Sequence, residues 1–173
     1  MDIRPEIRLD ERSILEVHAT AFPDGGVSEV EMVRELRAAE DAFVPELSLV
    51  ALEGGTIVGH VLFTIVHYVP DDGSAETPIL SLAPLAVRPS HQNQGIGARL
   101  VDVGLRKASL RPEPFVVVLG HPTYYPRFGF TRADELGIRC PFPGASDGAY
   151  MVRRLPGFRP VRTPGTVRYY EAE

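Results

Sequence analysis

The stretch Gln92-Asn93-Gln94-Gly95-Ile96-Gly97 sets two glycines between an apolar run, ILSLAPLAV (79–87), and a helical stripe of Ile96, Leu100, Val103 and Leu105. A phosphate held by main chain needs N–H donors with no Cβ in the way, beside a helix N-terminus whose dipole favours negative charge. Gly95 and Gly97 meet that requirement. A glycine pair can equally end a strand for steric reasons, so the loop alone leaves both readings open. Two nucleotide motifs fail outright. A Walker A loop needs Gly-Lys-Ser/Thr, and Ala98 and Arg99 follow Gly97. A dinucleotide fingerprint needs a third glycine where Leu100 stands, and its first glycine closer to the strand.

Other reactive side chains are sparse. Cys140, in GIRCPF, is the single cysteine. It can form no internal disulfide and no thiolate cluster, and it reads as a small core hydrophobe before it reads as a nucleophile. The five histidines lack ligand spacing, so no metal is expected. His60 and His67 lie in strand-like sequence, and His121 precedes Pro122, which holds its backbone extended. Each reads as a hydrogen-bonded strand histidine first and a proton acceptor second. Ser28 and Glu31 stand in capping-box register, which gives Glu31 a structural role. Asp24 and Glu29 read as solvated loop acids able to attract a cationic amine.

The elements that must position these groups follow from periodicity. ERSILEVHATAF carries Ile14, Val17, His18 and Phe22 at helical spacing, and SEVEMVRELRAAE forms a second helix. EIRLD starts a short strand. Two β-rich runs meet at Glu53-Gly54-Gly55, a hairpin signal. PFVVVLG reads as a buried strand, and GFTRADELGIRCPF and AYMVRRL as further strands. With 173 residues, 44% hydrophobic and 24% charged, the chain is expected to be one α/β domain over 1–173. Its net charge of −5 argues against sequence-blind nucleic-acid binding. No apolar run spans a bilayer and the charged N-terminus lacks a signal-peptide core, so a cytoplasmic protein is expected.

The loop, the strand before it and VVVLGHPTYYPRFGF together resemble the GNAT superfamily of acyl-CoA-dependent N-acetyltransferases. SLAPLAV with LGHPTYYPRFGF is similar to a bacterial subgroup within it. The resemblance implies a mixed, mostly antiparallel sheet of about six to seven strands flanked by about four helices, with a splay between two central parallel strands. It implies that Leu85, Ala86 and Val87 pair with the pantetheine arm of acetyl-CoA, the acyl-donor cosubstrate. It implies that Gln92, Asn93, Gln94, Gly95, Ile96 and Gly97 hold the pyrophosphate; Arg88, Arg99, Arg106 and Lys107 are candidates for contacting the CoA phosphates, although Arg106 and Lys107 read first as the basic last turn of a helix. Tyr125, four residues before Gly129-Phe130, then lies in the register of the general acid that protonates the departing thiolate, and Tyr124 is the fallback.

The implied reaction is direct attack of a primary amine on the thioester, with no metal. A small-molecule or peptide amine is the expected acceptor, entering over AFPDGGVSEV and VPDDGSAETP. Neither nucleic acid nor membrane is an expected partner, and the enzyme is expected as a monomer or homodimer. An alkylammonium is only about one part in a thousand free base at neutral pH, so something must deprotonate it. Many family members place a carboxylate on the strand before the loop. LSLAPLAV has none, which leaves the base open and admits an alternative, an inactive acyl-CoA-binding sensor or regulatory module.

Overall fold

The structure is a computed structural model, described over residues 1–22 and 26–170. Among those residues the chain forms β1 (Asp2–Pro5), α1 (Glu11–Ala21), α2 (Gly26–Ala38), β2 (Phe43–Glu53), β3 (Thr56–Pro70), β4 (Thr77–Val87), α3 (Ile96–Ala108), β5 (Phe115–Leu119), β6 (Thr131–Arg132), β7 (Ile138–Arg139), β8 (Tyr150–Arg154) and β9 (Gly165–Arg168). The strands hydrogen-bond in the order β1-β2-β3-β4-β5-β8-β6, with β9 on β3 and β7 on β9. The sheet is mixed and mostly antiparallel. Its parallel pairs are β4 with β5, at Leu80↔Val116 and Ser81↔Val117, and β7 with β9.

Strand and helix counts depart from expectation. Among the described residues nine strands form, because β6 and β7 are two-residue pairings and β9 pairs with residues far upstream, which local patterning does not show. Three α-helices form among the described residues. The segment after β5 makes only a 3-10 turn, Tyr125–Phe128, because Pro126 sits at its start and left-handed Gly129 (φ 81°) ends it. The expected strand at EIRLD is instead the neighbouring β1 followed by a 3-10 turn at Arg8–Asp10. Helix α2 begins at Gly26, so Ser28 lies inside it and the capping box with Glu31 does not form.

The chain packs as two compact units, Met1–Thr64 with Ala83–Ala108, and Ile65–Leu82 with Ser109–Glu173. In the first, β2 and β3 close as a two-residue hairpin, Glu53↔Thr56, with Gly54 and Gly55 both at positive φ. Ile14, Val17, Val33, Val50, Ile57 and Ala86 form one of its cores. Helix α3 buries Ile96, Leu100, Val101, Gly104, Leu105 and Ala108, so the inner stripe passes through Val101 and leaves Val103 at its edge. In the second unit Val66, Ile79, Phe115, Val117, Ile138, Tyr150, Val152 and Val167 share a core, with Cys140 packed against it.

Beside the first unit's apolar core lies a buried polar chain. The Arg37 guanidinium donates to Glu6, and the Ser48 hydroxyl donates to the other oxygen of that carboxylate. His60 Nε2 lies 2.9 Å from Ser48 Oγ, and His60 Nδ1 lies 2.8 Å from His18 Nε2. Since the Ser48 hydroxyl donates to the carboxylate, His60 donates from Nε2, and its Nδ1 accepts the hydrogen bond from His18 Nε2–H. His18 Nδ1 is then a bare acceptor, buried with no hydrogen-bond partner. Burial holds His18 down at a pKa of about 3, helped by His60. Burial also lowers His60, against an upward pull from Glu6. Burial alone would raise Glu6, but hydrogen bonds from His60 and Ser48 and the charge of Arg37 outweigh it and leave its carboxyl below the usual range.

Two outcomes follow. A Cβ on Gly104 would fall within 3.0 Å of Phe63 ring carbons. Gly104→Ala gains about 1 kcal/mol of helix propensity but overpacks this contact. The expected net is a loss of about 1–2 kcal/mol in urea denaturation; an unchanged or raised midpoint would mean that the Phe63 ring yields freely. Secondly, the folded pKa values of both histidines lie below the unfolded value near 6.5. Their contribution is therefore complete above about pH 6.5 and is lost as pH falls below it. Each histidine should remove up to about 1.4 kcal/mol per pH unit in that window. Urea titrations between pH 7.5 and 5 read the slope, and a flat profile would show that the cluster titrates as it does in the unfolded chain.

Candidate active site

Leu85, Ala86 and Val87 are the last residues of β4, where exposure alternates: Ala86 is buried in the core of the first unit while Leu85 and Val87 are half-buried. Upstream, Pro84 removes one N–H from the strand. The chain leaves β4 with Arg88 N–H bonded to Val58 O at 2.8 Å, makes a 3-10 turn at Pro89–His91, and enters the glycine loop. Asn93 (φ 60°) and Gly95 (φ 78°) are both left-handed. Gly95, left-handed ahead of Ile96 in the right-handed first turn of α3, turns successive N–H groups into one concavity, the geometry of an anion nest, whereas Gln92 before Asn93 is extended. Arg99 N–H is bonded to Gly95 O at 3.0 Å, which closes the first turn of α3. The N–H groups just ahead of it therefore have no acceptor within the helix.

The loop's side chains serve the loop. Gln92 donates its amide to Val87 O at 3.0 Å, tying the turn back to the end of β4, and Gln94 donates to Ser90 O at 3.2 Å within the turn. A direct side-chain role for these glutamines is thus secondary to bracing the main chain, a function that the spacing pattern does not reveal. Arg88, a candidate phosphate contact, is already engaged: its Nε donates to Ile57 O at 2.9 Å and its guanidinium lies 3.5 Å from Glu16. Arg99 is exposed on the first turn of α3, while Arg106 and Lys107 occupy the last. A basic last turn complements the helix dipole there.

Tyr125 belongs to the second unit, at the start of the 3-10 turn that follows β5. It is 8% exposed, with the rings of Tyr124, Phe130 and Phe128 at 5.0, 5.7 and 6.4 Å. On its far side the main chain of Gly120 comes so close that a Cβ there would fall within 3.0 Å of the Tyr125 ring. Burial, with a smaller push from Tyr124, raises the phenol to about 12. At neutral pH it is therefore fully protonated, a proton donor and not a base. Tyr124 carries the Arg127 guanidinium over its ring at 4.5 Å.

The histidines fall apart as a group. His60 is locked inside the polar chain of the first unit, His67 is half-buried in β3 opposite Arg168, and His121 is exposed. None of the described residues forms a cluster able to hold a metal ion. Glu31 is exposed on α2. Glu29 differs from expectation: it lies in the first turn of α2, and its Oε2 is buried with no hydrogen-bond partner among the described residues. Asp24 lies outside the described residues. No helix among them is long and apolar enough to cross a membrane.

A glycine nest between a strand and a helix, with a buried tyrosine after the next strand, defines a class that comparison with known proteins makes explicit. Residues 12–114 match the Acetyltransferase (GNAT) family, and the chain belongs to it, as an enzyme of the N-acetyltransferase class. It is 37% identical over 163 residues to the uncharacterized N-acetyltransferase YjhQ of Escherichia coli K12, covering 92% of this chain and 86% of that one. It is 34% identical over 172 residues to the uncharacterized N-acetyltransferase YhbS of the same organism, covering 99% and 97%. The crystal structure of E. coli YhbS in complex with CoA superposes with a TM-score of 0.85 at 30% identity, over 98% of this chain and 89% of that one. A GNAT acetyltransferase from Brucella melitensis in complex with acetyl-CoA superposes with a TM-score of 0.77 at 31% identity, over 98% and 95%.

Proposed function

We propose that the chain is a single-domain acetyl-CoA-dependent N-acetyltransferase that transfers acetyl to a primary amine by direct attack on the thioester. The observation that carries the reading is the left-handed pair Asn93 and Gly95 ahead of the open N-terminus of α3. The main-chain N–H groups from Gln92 to Gly97 bind the pyrophosphate, and Leu85 to Val87 pair with the pantetheine arm as an added strand would. The complexes of the YhbS and Brucella structures with CoA and acetyl-CoA support this ligand. No metal takes part.

Tyr125 supplies the proton to the leaving thiolate. A phenol held at about 12 keeps its proton at every working pH, and the aromatic packing fixes where it points. Tyrosine does not accept the amine's proton. Glu29, with a buried carboxylate oxygen left without a partner, is the group in the first unit suited to receive a cationic amine. The acceptor binds as an ammonium and loses its proton to water or to this carboxylate before attack.

Two measurements test the reading. Gly97→Val should fold and yet lose CoA affinity by at least about 10-fold, since a branched side chain crowds the pyrophosphate amides. Unchanged calorimetric affinity in a folded variant would move the cofactor elsewhere. Tyr125→Phe keeps the ring, so CoA affinity should survive while turnover falls by roughly 10²-fold at neutral pH. An alkyl thiol of pKa about 8.5 leaves as thiolate with less help as pH rises. The deficit should therefore shrink in alkaline buffer. Equal neutral-pH rates, with chemistry rate-limiting, would reassign the acid to Tyr124. Thiol release absent from the wild type across amines, amino acids and peptide N-termini would favour an acyl-CoA sensor.

A further inference from the structure

The chain is acidic overall, with net charge −5, yet residues 148–170 contain five arginines and neither aspartate nor glutamate. Three of the five are engaged. Arg153 donates to Phe128 O, Arg154 lies 5.0 Å over the Phe158 ring, and Arg168 pairs with Glu76. Arg159 and Arg162 are exposed and pair with no carboxylate among the described residues. Both line a pocket of about 410 Å³ that lies wholly inside the second unit. That volume is in the range of small-molecule sites.

The pocket is preformed by an irregular segment pinned at both ends. At one end Leu155 N–H is bonded to Pro114 O and Phe158 N–H to Leu155 O, both at 2.9 Å. At the other, the Tyr68 hydroxyl donates to Thr163 O, the Thr163 hydroxyl donates to Asp72 at 2.8 Å, and Asp71 N–H is bonded to Pro164 O at 2.9 Å. Between these ties Arg159 and Arg162 line the pocket. Tyr68 and Phe115, their rings 6.1 Å apart and edge to face, are buried residues of the same lining. Pro112, Pro114 and Pro160 stiffen the rim. The nearby acids are already taken: Asp71 by Arg139, Asp72 by Ser74 and Thr163, and Glu76 by Arg168. Two guanidiniums without a carboxylate partner among the described residues, lining one pocket with two aromatic side chains, match a ligand that is anionic at one end and apolar at the other.

We propose that this pocket is a ligand site, separate from the acetyl-transfer chemistry, for a small molecule with a ring-sized apolar body and a carboxylate or phosphate held by Arg159 and Arg162. The test titrates benzoate, phenyl phosphate, benzyl alcohol and benzylamine into the full chain, with saturating CoA present throughout, followed by amide chemical shifts. Benzoate or phenyl phosphate should bind saturably and perturb residues 68–77 and 157–163, and the stronger of the two identifies the headgroup. Arg159→Gln/Arg162→Gln changes only exposed side chains, and it should keep its melting temperature while weakening anion binding at least about 10-fold. Four results would overturn the proposal: no saturable anion binding at millimolar concentration, equal binding of benzylamine, unchanged affinity in the double variant, or binding seen only when CoA is left out.

Discussion

Helix α3 lies against β3 at a distance set by two glycines. On the strand, a side chain at Gly59 would press on Leu100, Ile96 and the carbonyl of Ala86; on the helix, one at Gly104 would enter the Phe63 ring. Apolar side chains at both positions would bury more surface, but they would lift the helix off the strand. The close approach fixes the helix axis, and with it the direction in which the N–H groups of its first turn, which have no acceptor within the helix, point. A nest for an anion is only as good as the rigidity of the peptide planes that form it. Here that rigidity comes from packing beneath the helix as well as from Gln92 and Gln94 bracing the loop above it.

The polar chain Arg37–Glu6–Ser48–His60–His18 does different work in the same unit. Burying a charged pair costs desolvation that its mutual attraction seldom exceeds by much, so the chain is weak as a source of stability. What it offers is uniqueness. Glu6 precedes the first 3-10 turn, Ser48 lies on β2, His60 on β3, His18 on α1 and Arg37 on α2. Five segments must arrive in one arrangement for each donor to meet its acceptor, and any slip of β2 against β3 strands a polar group in the core.

How much of this was legible in the sequence depended on the range of the interactions. The hairpin at Gly54-Gly55, the stripe of α3, the β5 run and the glycine loop are local, and each was visible from spacing. The loop's left-handed residues include Asn93, a residue type that tolerates that conformation. His60 read as a satisfied strand histidine, and it is one. Its partners were hidden because they lie 12 and 42 residues away on elements of unrelated periodicity. Strand β9 was hidden for the same reason, pairing with β3 at His67↔Arg168. Glu29 stood inside the helix-forming run SEVEMVRELRAAE, but the burial of its carboxylate oxygen depends on packing that spacing does not show. Bracing by Gln92 and Gln94 was not visible, since a family pattern records which residue stands at a position and not what its side chain holds.

The hydrogen bond between His18 and His60 has one more consequence. Its proton sits between two imidazoles that are each 0% exposed. Solvent can reach that proton only when α1 separates from β3. The chain thus carries its own clock: the lifetime of a single imidazole N–H against exchange records how often the first unit opens, with no label attached and no residue changed.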